Sequence, residues 1–305
     1  MQGQARVGSD SAMKLFRINS RIGAGITGLA FIDDGGIPRN VGDFVVELVR
    51  DKKVESWSIE EAAQALHNMF KSKYDYKEHL IKKKDSILAD LKRKQCEVKN
   101  SQEKKEGLVV IDFLAPDGRN QKITISTDII SILVAGFDKD GAHRVYQVLV
   151  PGGIEMRRNS TNKGMEFGAS WIGQTDVVTR IVLGFDGRIG SIPLVNEMTQ
   201  KVDQATLKKQ LAGLEYAVQW GTMTLQDAID FCHLMIQTTT AIQRFSDGIR
   251  ANPGDIPGVG GPVDIAVITR ENGFQWIQRK KIVVDGNEVD IGSSQILREL
   301  PLERV

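Results

Sequence analysis

The chain has 305 residues, 41% apolar and 26% charged, a balance that suits a globular protein with enough apolar side chain to fill a sizeable core. A formal net charge of +1 argues against a protein built around a polyanion, and two cysteines, Cys96 and Cys232, are too few for a zinc quartet or a disulfide framework. The first residues hold no apolar signal-peptide core, and no run approaches the roughly 18 apolar residues of a membrane span. The expectation is a cytoplasmic protein with neither a nucleic-acid nor a membrane partner.

Taken in chain order, Lys14 to Ile18 and Ile22 to Phe31 predict two antiparallel strands joined by the polar turn Asn19-Ser20-Arg21. Residues 33–38 read as a loop, and Phe44, Val45, Leu48 and Val49 give residues 43–50 helical spacing. Ser58-Ile-Glu-Glu61 is a capping box: the serine hydroxyl can accept from the Glu61 amide while the glutamate reaches back. Ile59, Ala62, Ala63, Leu66, Met69 and Phe70 follow on one helical face. Residues 71–106 are rich in lysine and thin in apolar side chains, which predicts a solvated helix. Residues 107–127 look like a hairpin turning at Ala115-Pro-Asp-Gly118. Residues 71–127 therefore read as an insertion on a main domain.

Beyond it, Ile129 to Phe137 is a continuous apolar run suited to a strand buried on both faces, paired through Asp138-Lys-Asp-Gly141 with Val145 to Val150. Met165 to Ala169 is a further strand candidate. Helices are predicted near 174–183 and 207–220, and a third after Thr224, whose partner Asp227 completes a second capping pair. A Gly/Pro-rich loop, Asn252 to Pro262, leads to the last two strands, Val263 to Ile268 and Phe274 to Val284. Hairpins outnumber βαβ units, so the pattern predicts mostly antiparallel sheets covered by helices in layers.

Gly23-Ala-Gly25-Ile-Thr-Gly28 satisfies the dinucleotide fingerprint G-x-G-x-x-G, the basis of a remote oxidoreductase alternative. The residues after Gly28 do not open a helix, so the glycines fit better as places where a strand comes close to another backbone or to substrate. The loop 252–262 could cradle an anion through its amides, though a tight helix-to-strand connection explains it more simply. His67, His79, His143 and His233 have no metal-ligand spacing, and Cys232 and His233, adjacent on a helix, do not face each other. No G-x-S-x-G elbow occurs. The lysine clusters 82–84 and 92–94 lack interleaved aromatics and read as a solvated face.

Read together, several segments resemble the proteasome-type N-terminal-nucleophile (Ntn) hydrolases. Met13-Lys-Leu-Phe-Arg-Ile-Asn19 and Ile22-Gly-Ala-Gly-Ile-Thr-Gly-Leu-Ala30 are similar to the family's lysine strand and glycine-bearing strand. Ser58 to Phe70 resembles its first long helix, and Val134-Ala-Gly-Phe-Asp-Lys-Asp-Gly141 its Gly-aromatic-Asp hairpin. Leu225 to Thr239 and Gly260-Gly-Pro-Val-Asp-Ile-Ala-Val-Ile268 are similar to the helix, loop and strand that close the family's fold. The matches run in family order, interrupted by residues 71–127.

The resemblance implies an α+β fold, a four-layer αββα sandwich of two mostly antiparallel sheets, as one domain over residues 1–305. It implies threonine-type endopeptidase chemistry: an N-terminal hydroxyl attacks a peptide carbonyl with its own α-amino group as base. Lys14 matches the lysine that eases proton transfer, Gly28 the oxyanion glycine, and Asp255 the loop aspartate. Intracellular proteolysis in a homo-oligomeric ring, an unfolded-protein or peptide substrate and an ATPase partner follow from the family, with no cofactor and no metal. The family's opening hairpin has no room before Lys14, so an active product is expected to carry an upstream threonine. Gly173-Gln174-Thr175 stands where the family has Ser-Gly-Ser, and Asp255-Ile-Pro-Gly-Val-Gly-Gly261 replaces Asp-x-x-Ser-Gly-Gly. Those departures motivate the alternative of a catalytically silent structural subunit, in which Lys14 supports the fold alone.

Overall fold

A computed structural model describes residues 12–51, 53–199, 201–246, 248–249, 252–253, 258–284 and 287–290. The chain divides into two units, one of residues 14–166 with 267–275 and the other of the remaining residues. The architecture is mixed, with helices and several antiparallel sheets, as an α+β protein requires.

The first unit opens with β1 (Leu15–Arg17) and β2 (Ile22–Gly28), paired antiparallel with Leu15 opposite Gly25. Asn19 holds their turn from inside. Almost fully buried, it donates to the Val54 carbonyl at 2.8 Å and accepts from the Arg21 amide at 2.8 Å, so none of its polarity is wasted. A short hairpin, β3 (Phe31–Asp33) with β4 (Pro38–Asn40), follows where the sequence predicted strand end and loop. Next come α1 (Val41–Asp51) and α2 (Ile59–Lys73), the latter with the predicted capping box formed.

The insertion consists of α3 (Tyr76–Arg93) and a three-stranded antiparallel meander, β5 (Glu97–Lys105), β6 (Leu108–Leu114) and β7 (Asn120–Ser126). The solvated helix expected to reach residue 106 stops at Arg93, and β5 takes its place. All nine residues of β5 are exposed, so the strand carries no apolar alternation to betray it; it forms because β6 needs an edge partner. Leu80, Leu91, Val109, Ile111, Phe113 and Ile125 give the insertion a core of its own. Its two ends are clasped together, since the buried Tyr74 hydroxyl meets Thr127 Oγ1 at 2.8 Å and donates to the Asp128 carbonyl at 3.0 Å.

The chain then returns to the first sheet through β8 (Ile130–Phe137), β9 (His143–Val150) and β10 (Ile154–Asn159), giving the order β1-β2-β8-β9-β10. Neighbours in this sheet run antiparallel, and its apolar rows line up across strands: Ile26, Ile132 and Val148 in one, Ala24, Val134 and Tyr146 in the next. The α2 stripe Ile59, Ala62, Ala63, Leu66 and Phe70, wholly buried, covers this face, with the Phe44 ring of α1 edge-on to Phe70. Only alternate residues of β8 are fully buried at its C-terminal half, so one face is core and the other half-covered, not both sealed as the apolar run predicted. The strand expected at residues 165–169 is irregular chain; the sheet's edge is β10 instead, whose charged run Glu155, Arg157 and Arg158 concealed it.

In the second unit lie α4 (Asp176–Leu183), α5 (Pro193–Thr199), α6 (Gln204–Leu211) and α7 (Leu225–Phe245). The helix predicted over 207–220 ends at Leu211, two residues before Gly213, and α5 is an element the sequence did not announce. Val178 and Val182 of α4 pack against Met235 of α7. The two-residue strands β11 (Gly248–Ile249) and β12 (Asn252–Pro253) precede β13 (Ile265–Thr269) and β14 (Gly273–Gln278), which lie within the two predicted strands and pair with each other. The last predicted strand is broken at Arg279-Lys280, and β15 (Lys281–Val284) pairs with β16 (Asn287–Asp290) instead. Lys280 is spent on local order: its amide donates to Asp264 at 2.8 Å and its ammonium to the Ala12 carbonyl at 3.0 Å. Among the described residues no helix is long and apolar enough to cross a membrane.

Ile111→Ala empties a fully buried position of the insertion core and should cost about 2–5 kcal/mol. Amide exchange should quicken across β5–β7 and stay unchanged across β8 and β9; equal acceleration in both would show that the insertion has no core of its own. Asp186 offers a pH test in the second unit. Hydrogen bonds from the Arg188 side chain, its amide and Arg180 hold the carboxyl at about 2, below its ordinary 3.8. A lowered value means the stabilisation is complete above the unfolded value and drains away as pH falls from 3.8 towards 2. Asp186→Asn should lower thermal stability at neutral pH and flatten the loss between those limits.

Candidate functional site

Lys14 immediately precedes β1, and its carbonyl accepts from the Ile26 amide at 2.8 Å. That bond places the lysine two residues short of Gly28 on the neighbouring strand, so both lie at the same end of the β1–β2 pair, and both are exposed. Gly28 is left-handed, with φ 98°, and a Cβ there would sit 1.8 Å from the Ile129 carbonyl oxygen. No other residue type fits. The chain leaves the strand here, and the next amide, Leu29, donates to that same Ile129 oxygen at 3.1 Å. The strand register thus sets an exposed lysine and an exposed, left-handed glycine at one end of the β1–β2 pair.

The three fingerprint glycines do not share one cause. A Cβ on Gly23 would lie 2.7 Å from the Phe274 ring, so this glycine admits the tip of the β13–β14 hairpin. Gly25 has ordinary space around it, its nearest neighbours being Leu15 and the Lys14 carbonyl. Gly28 answers to the Ile129 backbone. All three lie in a strand paired on both sides, followed by another strand. A dinucleotide fingerprint needs its glycines in a strand-to-helix turn with amides aimed at the pyrophosphate, and no helix N-terminus is here to supply them.

In the second unit the two segments that depart from the family pattern come together. Gln243 of α7 accepts at its Oε1 from the amides of Gly258 at 3.1 Å and Val259 at 3.0 Å, and its Nε2 donates to Gln174 Oε1. The Gly173-Gln174-Thr175 segment and the loop before Gly260 are thus joined through one helix side chain. Asp255 lies outside the described residues. The sequence drew attention to the loop and to Gln174, but Gln243 carried no signal.

A second cluster escaped the sequence reading because its parts lie far apart in the chain. Asp138, in the β8–β9 turn, accepts from the Ile59 amide at the start of α2 at 2.9 Å and pairs with Arg144. With Trp57, Ser58, Glu61 and Lys139 they line a recess of about 320 Å³. Asp138 and Asp140 pair with Arg144 and Glu61 accepts from the Ser58 amide, so the arrangement is a helix cap. His143 bonds the Glu166 carbonyl at 2.7 Å, and His233 bonds Gln237 on its own helix. Among the described residues no three His, Cys, Asp or Glu side chains converge as metal ligands.

Comparison of the chain with models of protein families, with curated proteins and with solved structures finds no match.

Gly28→Ala puts a side chain both into the left-handed region and onto the Ile129 carbonyl, and should cost more than the roughly 1–2 kcal/mol of the conformation alone. Gly35→Ala, at φ 71° with nothing within 4 Å, should cost no more than that conformational share. Urea unfolding of the two variants measures the difference; equal losses would mean the β2–β8 crossover relaxes around the new methyl.

Proposed function

We propose that the chain is a subunit of the proteasome-type Ntn-hydrolase family, with the four-layer fold of that family and threonine-type endopeptidase chemistry in the natural product. The observation that carries this reading is the pairing of β1 with β2, which sets Lys14 and Gly28 at one exposed end of adjacent strands. Support comes also from order: lysine strand, glycine strand, capped helix, the Gly136-Phe137-Asp138 hairpin, the long helix α7 and the glycine loop follow one another as in the family.

In the mechanism this reading assigns, the nucleophile is an N-terminal Thr, Ser or Cys of the mature product, and its α-amino group takes the proton. Lys14, a cation at that end of the sheet, would favour the deprotonated form of the attacking group. The backbone at Gly28 would face the developing oxyanion, where a fixed dipole does most for the barrier. A peptide or unfolded segment is the substrate, a homo-oligomeric ring the working assembly, an ATPase the partner that feeds it, and the cytoplasm its place of work.

A second reading, a catalytically silent subunit of the same assemblies, is favoured by one observation. The segments that stand where the family has Ser-Gly-Ser and Asp-x-x-Ser-Gly-Gly are joined through Gln174 and Gln243, and the second, residues 255–261, contains no serine.

N-terminal sequencing and intact mass of the natural product, followed by fluorogenic peptide hydrolysis, separate the two. The peptidase reading expects a mature start at Thr, Ser or Cys, hydrolysis blocked by a threonine-directed inhibitor, and at least about a hundredfold lower kcat in Lys14→Ala with KM little changed. A mature start at any other residue, or hydrolysis indifferent to Lys14→Ala, would overturn it in favour of the silent subunit.

A further inference from the structure

The Gln243 carboxamide is bound at three points by groups from two other segments. Two successive amides, Gly258 and Val259, converge on its oxygen, and the oxygen of Gln174 takes its NH2. The orientation of the amide follows from those partners: only an oxygen can face two N–H donors, and only the nitrogen can face the Gln174 carbonyl. Both glutamines are half-buried, and Gly258 has no side chain to cover the place; a Cβ there would come within 3.1 Å of the Gln174 amide.

Paired backbone donors aimed at one point are the element from which carbonyl and anion sites are built. Here the point is filled by a group of the same chain. We propose that Gly258, Val259 and Gln174 form a receptor for a planar carboxamide or carboxylate head group, which Gln243 occupies as an internal ligand. A primary carboxamide matches all three contacts directly. A carboxylate matches the two amides, and Gln174 turns its NH2 inward to meet the second oxygen. An incoming head group therefore competes with Gln243, and the loop stays fastened to α7 only while Gln243 holds the place. The proposal goes beyond the peptidase reading and does not depend on a nucleophile.

Hydrogen exchange on the full chain tests it. In Gln243→Ala the amides of Gly258 and Val259 should exchange about tenfold faster or more, since each loses its acceptor, while α4 and α7 amides keep their rates. Propionamide should restore protection saturably in that variant, and propionate distinguishes a receptor for the charged head group from one for the neutral. Gln243→Glu, which keeps an acceptor oxygen, should stay protected, whereas Gln243→Met, of similar length without one, should not. Should Gln243→Ala fail to fold, the Glu and Met variants decide whether the amides are held. Displacement of the Gln243 side-chain NH2 resonances by propionamide in the wild type then decides whether the place can be filled from outside. Unchanged exchange in both the Ala and Met variants overturns the proposal. So does lost protection that neither probe restores, which would make Gln243 a strut and nothing more.

Discussion

Asp138 is the contact on which the first unit turns. Its carboxylate accepts from the first amide of α2 across 79 residues of sequence and pairs with Arg144 on the strand that leaves the same turn. A helix start leaves donors without partners, and a strand turn gathers charge; one side chain settles both. With the start of α2 fixed over the β8–β9 turn, its apolar stripe has a single azimuth from which to meet Val134, Tyr146 and Val148. Tyr146 reaches Glu60 from the sheet side, and His67 reaches the Gly152 carbonyl at 3.0 Å a little further along the helix. Helix and sheet are thus registered from both ends.

The opposite face of the sheet is governed by what is missing from it. Gly23 leaves room for the Phe274 ring, and the Phe274 amide donates to the Ser20 carbonyl at 2.7 Å, so the hairpin tip meets the β1–β2 turn through both backbone and side chain. Gly136, in register with Ile22 on the α2 face, is equally tight, for a Cβ there would stand 2.2 Å from the Arg21 carbonyl oxygen. Gly23, Gly28 and Gly136 mark close approaches in this sheet, and two of them supply outer glycines of the fingerprint for reasons of packing.

What the sequence made legible was whatever has a local cause. Ser58 with Glu61 and Thr224 with Asp227 predicted two helix starts because capping is a matter of residues three apart. The β1–β2 and β8–β9 hairpins were visible in their turns. The elements that were hidden have distant causes: β5 exists because β6 has an edge to pair, and β10 closes a sheet whose buried rows lie in other strands. At the candidate site the same division holds. Lys14 and Gly28 stood out through resemblance and are neighbours through strand register. The role of Gln243 depends on a loop fifteen residues away returning to the helix, and no local pattern encodes that return.

The clasp between Tyr74 and Thr127 has a consequence for what the chain tolerates. It brings entry and exit of the insertion to within one hydrogen bond of each other, at a point where both strands of backbone are already anchored. Everything beyond that knot has its own core and could be lost, lengthened or exchanged by recombination without disturbing the order of strands in the parent sheet. The segment from Tyr76 to Ser126 and the five-stranded sheet can thus vary separately.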